Sequence, residues 1–281
     1  MAISKRVADR IRQQLKRYQS ILTEAKGRDI NEPDTVTILI DMLADVFGYN
    51  KFTEVTKEFA IKGTYCDLAV KVEKLRFLIE AKAVGVPLKD NHIKQAIDYA
   101  ANEGVEWVIL TNGVQWQIYK VQFQQPIDKT LVFEVDVLQS NPRDPQIIEY
   151  FGNLTKEGFT LSSMETFYRQ QQVTSRFSLA ELLLNERVLK ALRKEVRKIA
   201  PKLKIDTETL AATLRNEVLK REVIDSDEAK QATHFLKKAS RSASKAKSGG
   251  KAQNLSPTPP TIPASPSEDR KPVAQVSTGK S

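Results

Sequence analysis

Cysteine occurs once in the 281 residues, at Cys66, and histidine twice, at His92 and His234. A single thiol excludes an internal disulfide and a CxxC zinc site, and two histidines are too few for an imidazole-based metal centre. Any cation would have to be held by carboxylate oxygens, which suits Mg2+ or Mn2+. Long apolar runs are missing too: no stretch approaches the roughly 20 residues that a membrane-spanning helix needs. The opening MAISKRVADRIRQQL has no apolar segment behind its basic residues, so no secretory signal is expected and a cytoplasmic protein is. The pattern G-x-x-x-x-G-K-[ST] is absent, which leaves out a P-loop nucleotide motor, and there is no internal repeat.

What is present suits a globule with a tail. Hydrophobic residues make up 41% and charged residues 28%, the balance of a chain that buries a core. The net charge of +9 is unevenly placed. From Leu236 onward nine Lys and Arg stand against only Glu268 and Asp269, a net of +7, which leaves +2 for everything before. Beyond Ser240 the chain turns to Ser, Lys, Pro and Gly, with SPTPPTIPASPS in the middle. Such a composition cannot bury enough apolar surface to fold. This basic tail either holds nucleic acid through phosphate contacts or is simply solvated and disordered.

Periodicity sets out the elements. Val7, Ile11, Leu15, Tyr18 and Leu22 recur at helical spacing, predicting a helix over 3–26. Asn31 is a suitable N-cap for a second helix with Glu32 and Pro33 in its first turn and Gly48 at its end. Three strands are expected at 54–62, 65–72 and 77–84, joined as a meander with the polar EKLR as the last connection. A helix over 90–103 follows, then a strand at 106–112, a turn at Asn112-Gly113, a returning strand at 114–122 and another at 131–138. After residue 144 the pattern is helical, most clearly at 177–200 and 206–224, with a further candidate at 225–239. The order implies an α/β (α+β) fold, a mixed sheet flanked by helices. Three regions are expected: a sheet domain over 1–143, a helical segment over 144–239 packing on it or on a partner, and the tail over 240–281.

The chemistry centres on FLIEAKAVG. Glu80 and Lys82 interrupt an apolar strand, and with a side-chain period of 2 they share a face. Asp67 precedes Glu80 on the strand before, in the arrangement D-x(12)-E-x-K. If those strands pair, the two carboxylates approach, and a divalent cation relieves their repulsion. Lys82 on the same side could orient or deprotonate water at such a cation, or steady charge that builds on phosphorus. Taken alone, Glu80 and Lys82 are equally readable as a surface ion pair. Gln95 and Tyr99, four apart, share one helix face. Trp107 and Trp116 read as core, and Cys66, alternating with Asp67, as a buried inert thiol on the opposite face.

This constellation resembles the PD-(D/E)xK nucleases, and more closely the N-terminal nuclease domain of type I restriction enzyme R subunits. The stretches that carry the resemblance are NEPDTVTILIDMLADVFGY, YCDLAV, IEAKA, IKQAIDYA and WVILTNGVQWQIY, over roughly residues 30–140. The resemblance implies catalytic roles for Asp67, Glu80 and Lys82 and a metal held by Glu32, Asp67 and Glu80. It also implies a Q-x-x-x-Y helix in which Gln95 and Tyr99 touch DNA or the reacting water, or simply support the sheet. Glu32 equally suits the positive end of a helix dipole. Cys66 stands where the motif's name has proline, and no helicase motor accompanies the domain, so a standalone relative is expected. The implied function is a Mg2+-dependent DNA endonuclease, Mn2+ being a substitute, with DNA as partner and the helices over 177–239 available for a protein partner or self-association. The alternative is a catalytically silent module that keeps the fold and binds nucleic acid or protein.

Overall fold

A computed structural model describes residues 3–61, 64–123, 126–202 and 204–248. The first helix, α1 (Lys5–Gly27), is capped by the Ser4 hydroxyl, which accepts the Val7 N–H. It buries the five apolar residues that its periodicity marks out. Helix α2 (Glu32–Asp45) starts at Asn31, whose side chain accepts the Asp34 N–H at 2.9 Å. It stops three residues before Gly48, which adopts φ +80° and sends the chain back.

Strands β1 (Val55–Ile61), β2 (Thr64–Val72), β3 (Lys74–Ala81), β4 (Trp107–Thr111), β5 (Gln115–Gln122) and β6 (Asp128–Asp136) form one sheet in sequence order. All neighbours are antiparallel except β3 and β4, which are parallel. That pair needs a crossover, supplied by a 3-10 turn over Asp90–Ile93 and helix α3 (Lys94–Glu103). The sheet is mixed and flanked by helices on both faces, as the element order implies. One face carries Leu68, Val70, Phe77, Ile79, Ile109, Trp116 and Ile118 against α1 and α2. The other carries Ala69, Leu78, Val108 and Leu110 against Ile93, Ala96, Ile97 and Ala100 of the crossover.

Several boundaries depart from the sequence pattern. β3 begins at Lys74 rather than Phe77, because the turn from β2 is confined to Glu73, at φ +61°. The backbone ladder, with Val72 opposite Lys74, overrides the loop-like polarity of EKLR. β3 also ends at Ala81, three residues early, since the Val84 N–H leaves the sheet to bond the Thr35 hydroxyl at 3.1 Å. β6 likewise sits earlier than expected, at Asp128–Asp136.

The helical region is α4 (Pro145–Leu154), α5 (Lys156–Thr160), α6 (Ser163–Thr174), α7 (Arg176–Leu183), α8 (Glu186–Ile199), α9 (Thr207–Thr213), α10 (Arg221–Asp225) and α11 (Asp227–Ser248). The single helix expected over 177–200 is two, because Asn185 caps α8 by accepting the Arg187 N–H. The one over 206–224 is interrupted by a π turn at Leu214–Val218 and extended backbone at Leu219. Phe151, Leu154, Phe159 and Met164 of α4 to α6 enter the α1-side core. Helices α7 to α10 instead make their main contacts with one another and with α6, so Leu183 and Val188 stay exposed rather than packing on the sheet. Two compact units divide the chain, Met1–Ala232 and Thr233–Ser281. Unfolded chain was expected from Ser240 onward, yet α11 runs on to Ser248, a Lys-, Ala- and Ser-rich stretch with no Pro or Gly to break it. The remainder of the expected tail, 249–281, lies outside the described residues.

Candidate active site at the end of strand β3

Strands β2 and β3 part company at one point. Their ladder pairs Ala69 with Leu78 and Leu68 with Ile79, and no further. β2 continues against β1 as far as Thr64, and β3 continues against β4 as far as Ala81. Splayed strands leave backbone groups without ladder partners, a cost that side chains can remove. Asp67 and Cys66 do so. Asp67 Oδ2 accepts the Ala81 N–H at 2.7 Å. Cys66 Sγ lies 3.1 Å from the Ile79 carbonyl and 3.5 Å from that of Leu68. The thiol is thereby drawn into the gap and packs with the α3-side cluster, not on the opposite face that simple alternation predicts. It is fully buried, and burial pushes its pKa up to about 12.

Beyond the fork stand the charged groups. Glu80 shares parity with Leu78, and Asp67 with Ala69, both of the α3-side cluster. Lys82 lies one residue past the strand, but its N–H still bonds the Thr111 carbonyl at 2.9 Å, holding it in extended register. Its ammonium donates to Glu80 Oε1 at 2.8 Å and to the Ala81 carbonyl at 2.7 Å. It also reaches Glu32 Oε2 at 3.6 Å. Glu32 arrives from the start of α2, and Thr35 explains its position. The Thr35 hydroxyl donates to the Asn31 carbonyl at 2.8 Å and accepts from Val84, stitching the first turn of α2 to the chain just past β3.

Glu80 and Glu32 therefore reach the Lys82 ammonium, and Asp67 acts on it through its charge alone. The Glu80 carboxyl is raised above its usual range, first by burial and further by the charges of Asp67 and Glu32; its hydrogen bond to Lys82 only partly offsets this. Burial pulls Lys82 down, but the hydrogen bond to Glu80 and the charges of all three carboxylates outweigh it, so its pKa is raised. Among the described residues no three His, Cys, Asp or Glu side chains are gathered as a ready-made cation site. Glu32 and Glu80 are neighbours through the Lys82 ammonium.

Gln95 and Tyr99 are also engaged. Gln95 Nε2 donates to the Tyr99 hydroxyl at 2.5 Å and to the Tyr65 carbonyl at 3.4 Å, two residues before Asp67. Tyr99 is buried within the α3-side cluster. The structure thus places the pair against the backbone of β2 rather than on Glu80 or Lys82. The supporting contacts of Thr35, Thr111 and Asn112 were not expected, although all three lie in stretches that carry the resemblance. Asn112 accepts the Val114 and Gln115 N–H groups and donates to the Val86 carbonyl at 2.9 Å, anchoring the loop after Lys82. The Asn-Gly turn was legible, but its side-chain reach across to residue 86 leaves no trace in local pattern.

The stretch of chain that builds the fork is similar to a known family. Residues 38–131 match the family model of the type I restriction enzyme R protein N terminus. The chain carries a domain like the N terminus of those R proteins. The match takes in the whole fork, Asp67, Glu80, Lys82, Gln95 and Tyr99, and about a third of the chain, but begins after Glu32. No curated protein and no solved structure matches the chain.

Proposed function

We propose that the protein is a divalent-metal-dependent DNA endonuclease, with Asp67, Glu80 and Lys82 as its catalytic set. The observation that carries this reading is the pairing of Lys82 with Glu80 and Glu32 at the point where β2 and β3 separate, with the Asp67 carboxylate held beside them by the Ala81 N–H. The donors are of the kind a hard cation takes: all oxygen, with no nitrogen or sulfur ligand, and with a Glu80 carboxyl raised first by burial and then by the charges of Asp67 and Glu32. Glu80, Asp67 and, from α2, Glu32 would hold it, with Mg2+ the expected ion and Mn2+ a substitute. Such an ion supplies Lewis-acid stabilisation of a phosphodiester and a stronger water nucleophile.

The chain's own residues do the rest. The Ala81 N–H fixes the Asp67 carboxylate, so one ligand is positioned by backbone rather than by a flexible side chain. Lys82 now serves as the counter-charge of Glu80. Its ammonium would stabilise negative charge on a phosphoryl oxygen placed beside it, where a fixed positive charge lowers the barrier most. Gln95 and Tyr99 support β2 beside Asp67. The same Lys82–Glu80 pair favours a second reading, a silent nucleic-acid-binding module whose acidic pair is permanently neutralised.

Cleavage of supercoiled and linear DNA in Mg2+ or Mn2+ separates the two. The wild type should cut, and Lys82→Ala should lose on the order of 10²–10⁴-fold in rate while still binding DNA. Binding without cleavage by the wild type, across both ions and several substrates, would establish the silent module. Equal rates for wild type and Lys82→Ala would move the active site elsewhere.

A further inference from the structure

Helix α8 has a charge pattern that the fold does not use. Its fourteen residues carry six basic side chains, Arg187, Lys190, Arg193, Lys194, Arg197 and Lys198, against Glu186 and Glu195. At about 100° per residue all six fall within an arc of about 140°, and they extend along about 17 Å of helix axis. Five of the six are exposed and Arg193 is half-buried. The rest of the chain before Leu236 has a slight excess of acid, so this arc is a local concentration, not a reflection of overall charge. Lys190 and Lys198 are paired to Glu186 and Glu195 within the helix. Arg187, Lys194 and Arg197 take part in no ion pair among the described residues.

We propose that α8 is a docking surface for the phosphate backbone of double-stranded nucleic acid, holding substrate for the site at the end of β3. This inference rests on the nuclease reading for its partner, and three features select that partner. A membrane-lying amphipathic helix must offer its apolar face to lipid, yet Leu189 is buried and Val196 half-buried where α8 packs on α7 and α9. Val188, Leu192 and Ile199 are what that side leaves exposed, beside an outward basic arc that outnumbers them two to one. Single strands are gripped by basic grooves with aromatic platforms for stacking, and α8 contains no Phe, Tyr or Trp. Closely spaced flexible cations without base-reading amides fit phosphate contacts, which position a duplex without specifying sequence.

The test is equilibrium binding of the full chain to a labelled duplex in EDTA, by fluorescence anisotropy over a range of salt. No cleavage is needed, so a failure here and a failure of the nuclease reading are separate results. The variant is Arg187→Gln, Lys194→Gln and Arg197→Gln together, with circular dichroism confirming its helix content. Affinity at low salt should fall roughly ten-fold or more, and the slope of log K against log salt should shrink by about 2.7, the release of three counterion equivalents. The charge-keeping counterpart, Arg187→Lys, Lys194→Arg and Arg197→Lys, should bind like wild type. Any contribution from other basic residues is common to all three proteins and cancels in the comparison. An unchanged slope would overturn the proposal, whether or not affinity changed. So would loss of binding to anionic phosphatidylserine vesicles with duplex affinity intact, which would assign the arc to lipid.

Discussion

Asp67 has two tasks at once. It closes a gap in the backbone ladder and offers a carboxylate to the charged cluster. The two tasks are separable by substitution. Asp67→Ala orphans the Ala81 N–H and should cost about 1–3 kcal/mol, visible as a lower urea midpoint. Asp67→Asn keeps an acceptor oxygen in place and should retain most of that stability while losing cleavage. Equal destabilisation by both would show that charge, not the hydrogen bond, holds the fork. Parity and spacing put Asp67, Glu80 and Lys82 near one another; their reading as one site came from the family resemblance. The hydrogen bond from Ala81 was not legible, because it depends on where two strands separate, and residue pattern carries no record of that. Cys66 fails for the same reason: its ladder with β3 ends at Leu68, and the thiol turns into the gap toward the Ile79 carbonyl although β2 stays paired with β1.

At the scale of elements, periodic apolar spacing and caps carried most of the information. Helix α1 and the Asn31 cap of α2 stand as the pattern implies, since each is decided by residues close in sequence. Helices α7 and α8 are separated by a different rule. The apolar run through Leu182, Leu183 and Leu184 reads as continuous, but Asn185 offers its side chain to the Arg187 N–H and starts a new helix. A good cap in the middle of a helical pattern outcompetes continuation when neither half is held by the sheet. Asn185→Ala should therefore remove about 0.5–2 kcal/mol from the helical region, detectable as faster amide exchange in α8 with little change in β3 or β4. Uniform loss of protection through the sheet would instead mean that the helices and the sheet unfold as one unit.

For the molecule as a whole, the sheet domain and its acidic fork are in tension. The core under β2 and β3 is apolar on both faces, and placing Glu80 at its margin costs desolvation first and repulsion from Asp67 and Glu32 second, which one lysine does not balance. A carboxyl whose folded pKa is raised stabilises the fold when protonated; that contribution is full below its unfolded pKa, about 4.3, and is lost as pH rises from there through the higher folded value. At neutral pH Glu80 is thus a net cost. A cation bound only by the folded state should recover part of it: at ten times its Kd an ion adds about 1.4 kcal/mol. For a chain of this size that corresponds to about 3–6 °C in Tm. Mg2+ titration monitored by thermal melting should show such a rise for the wild type, reversed by EDTA, and little or none for Asp67→Asn or Glu80→Gln. Because this measures occupancy and not turnover, it bears on the site even if the right DNA substrate has yet to be offered. An equal rise in all three proteins would place the ion away from the fork and remove the metal from the proposed chemistry.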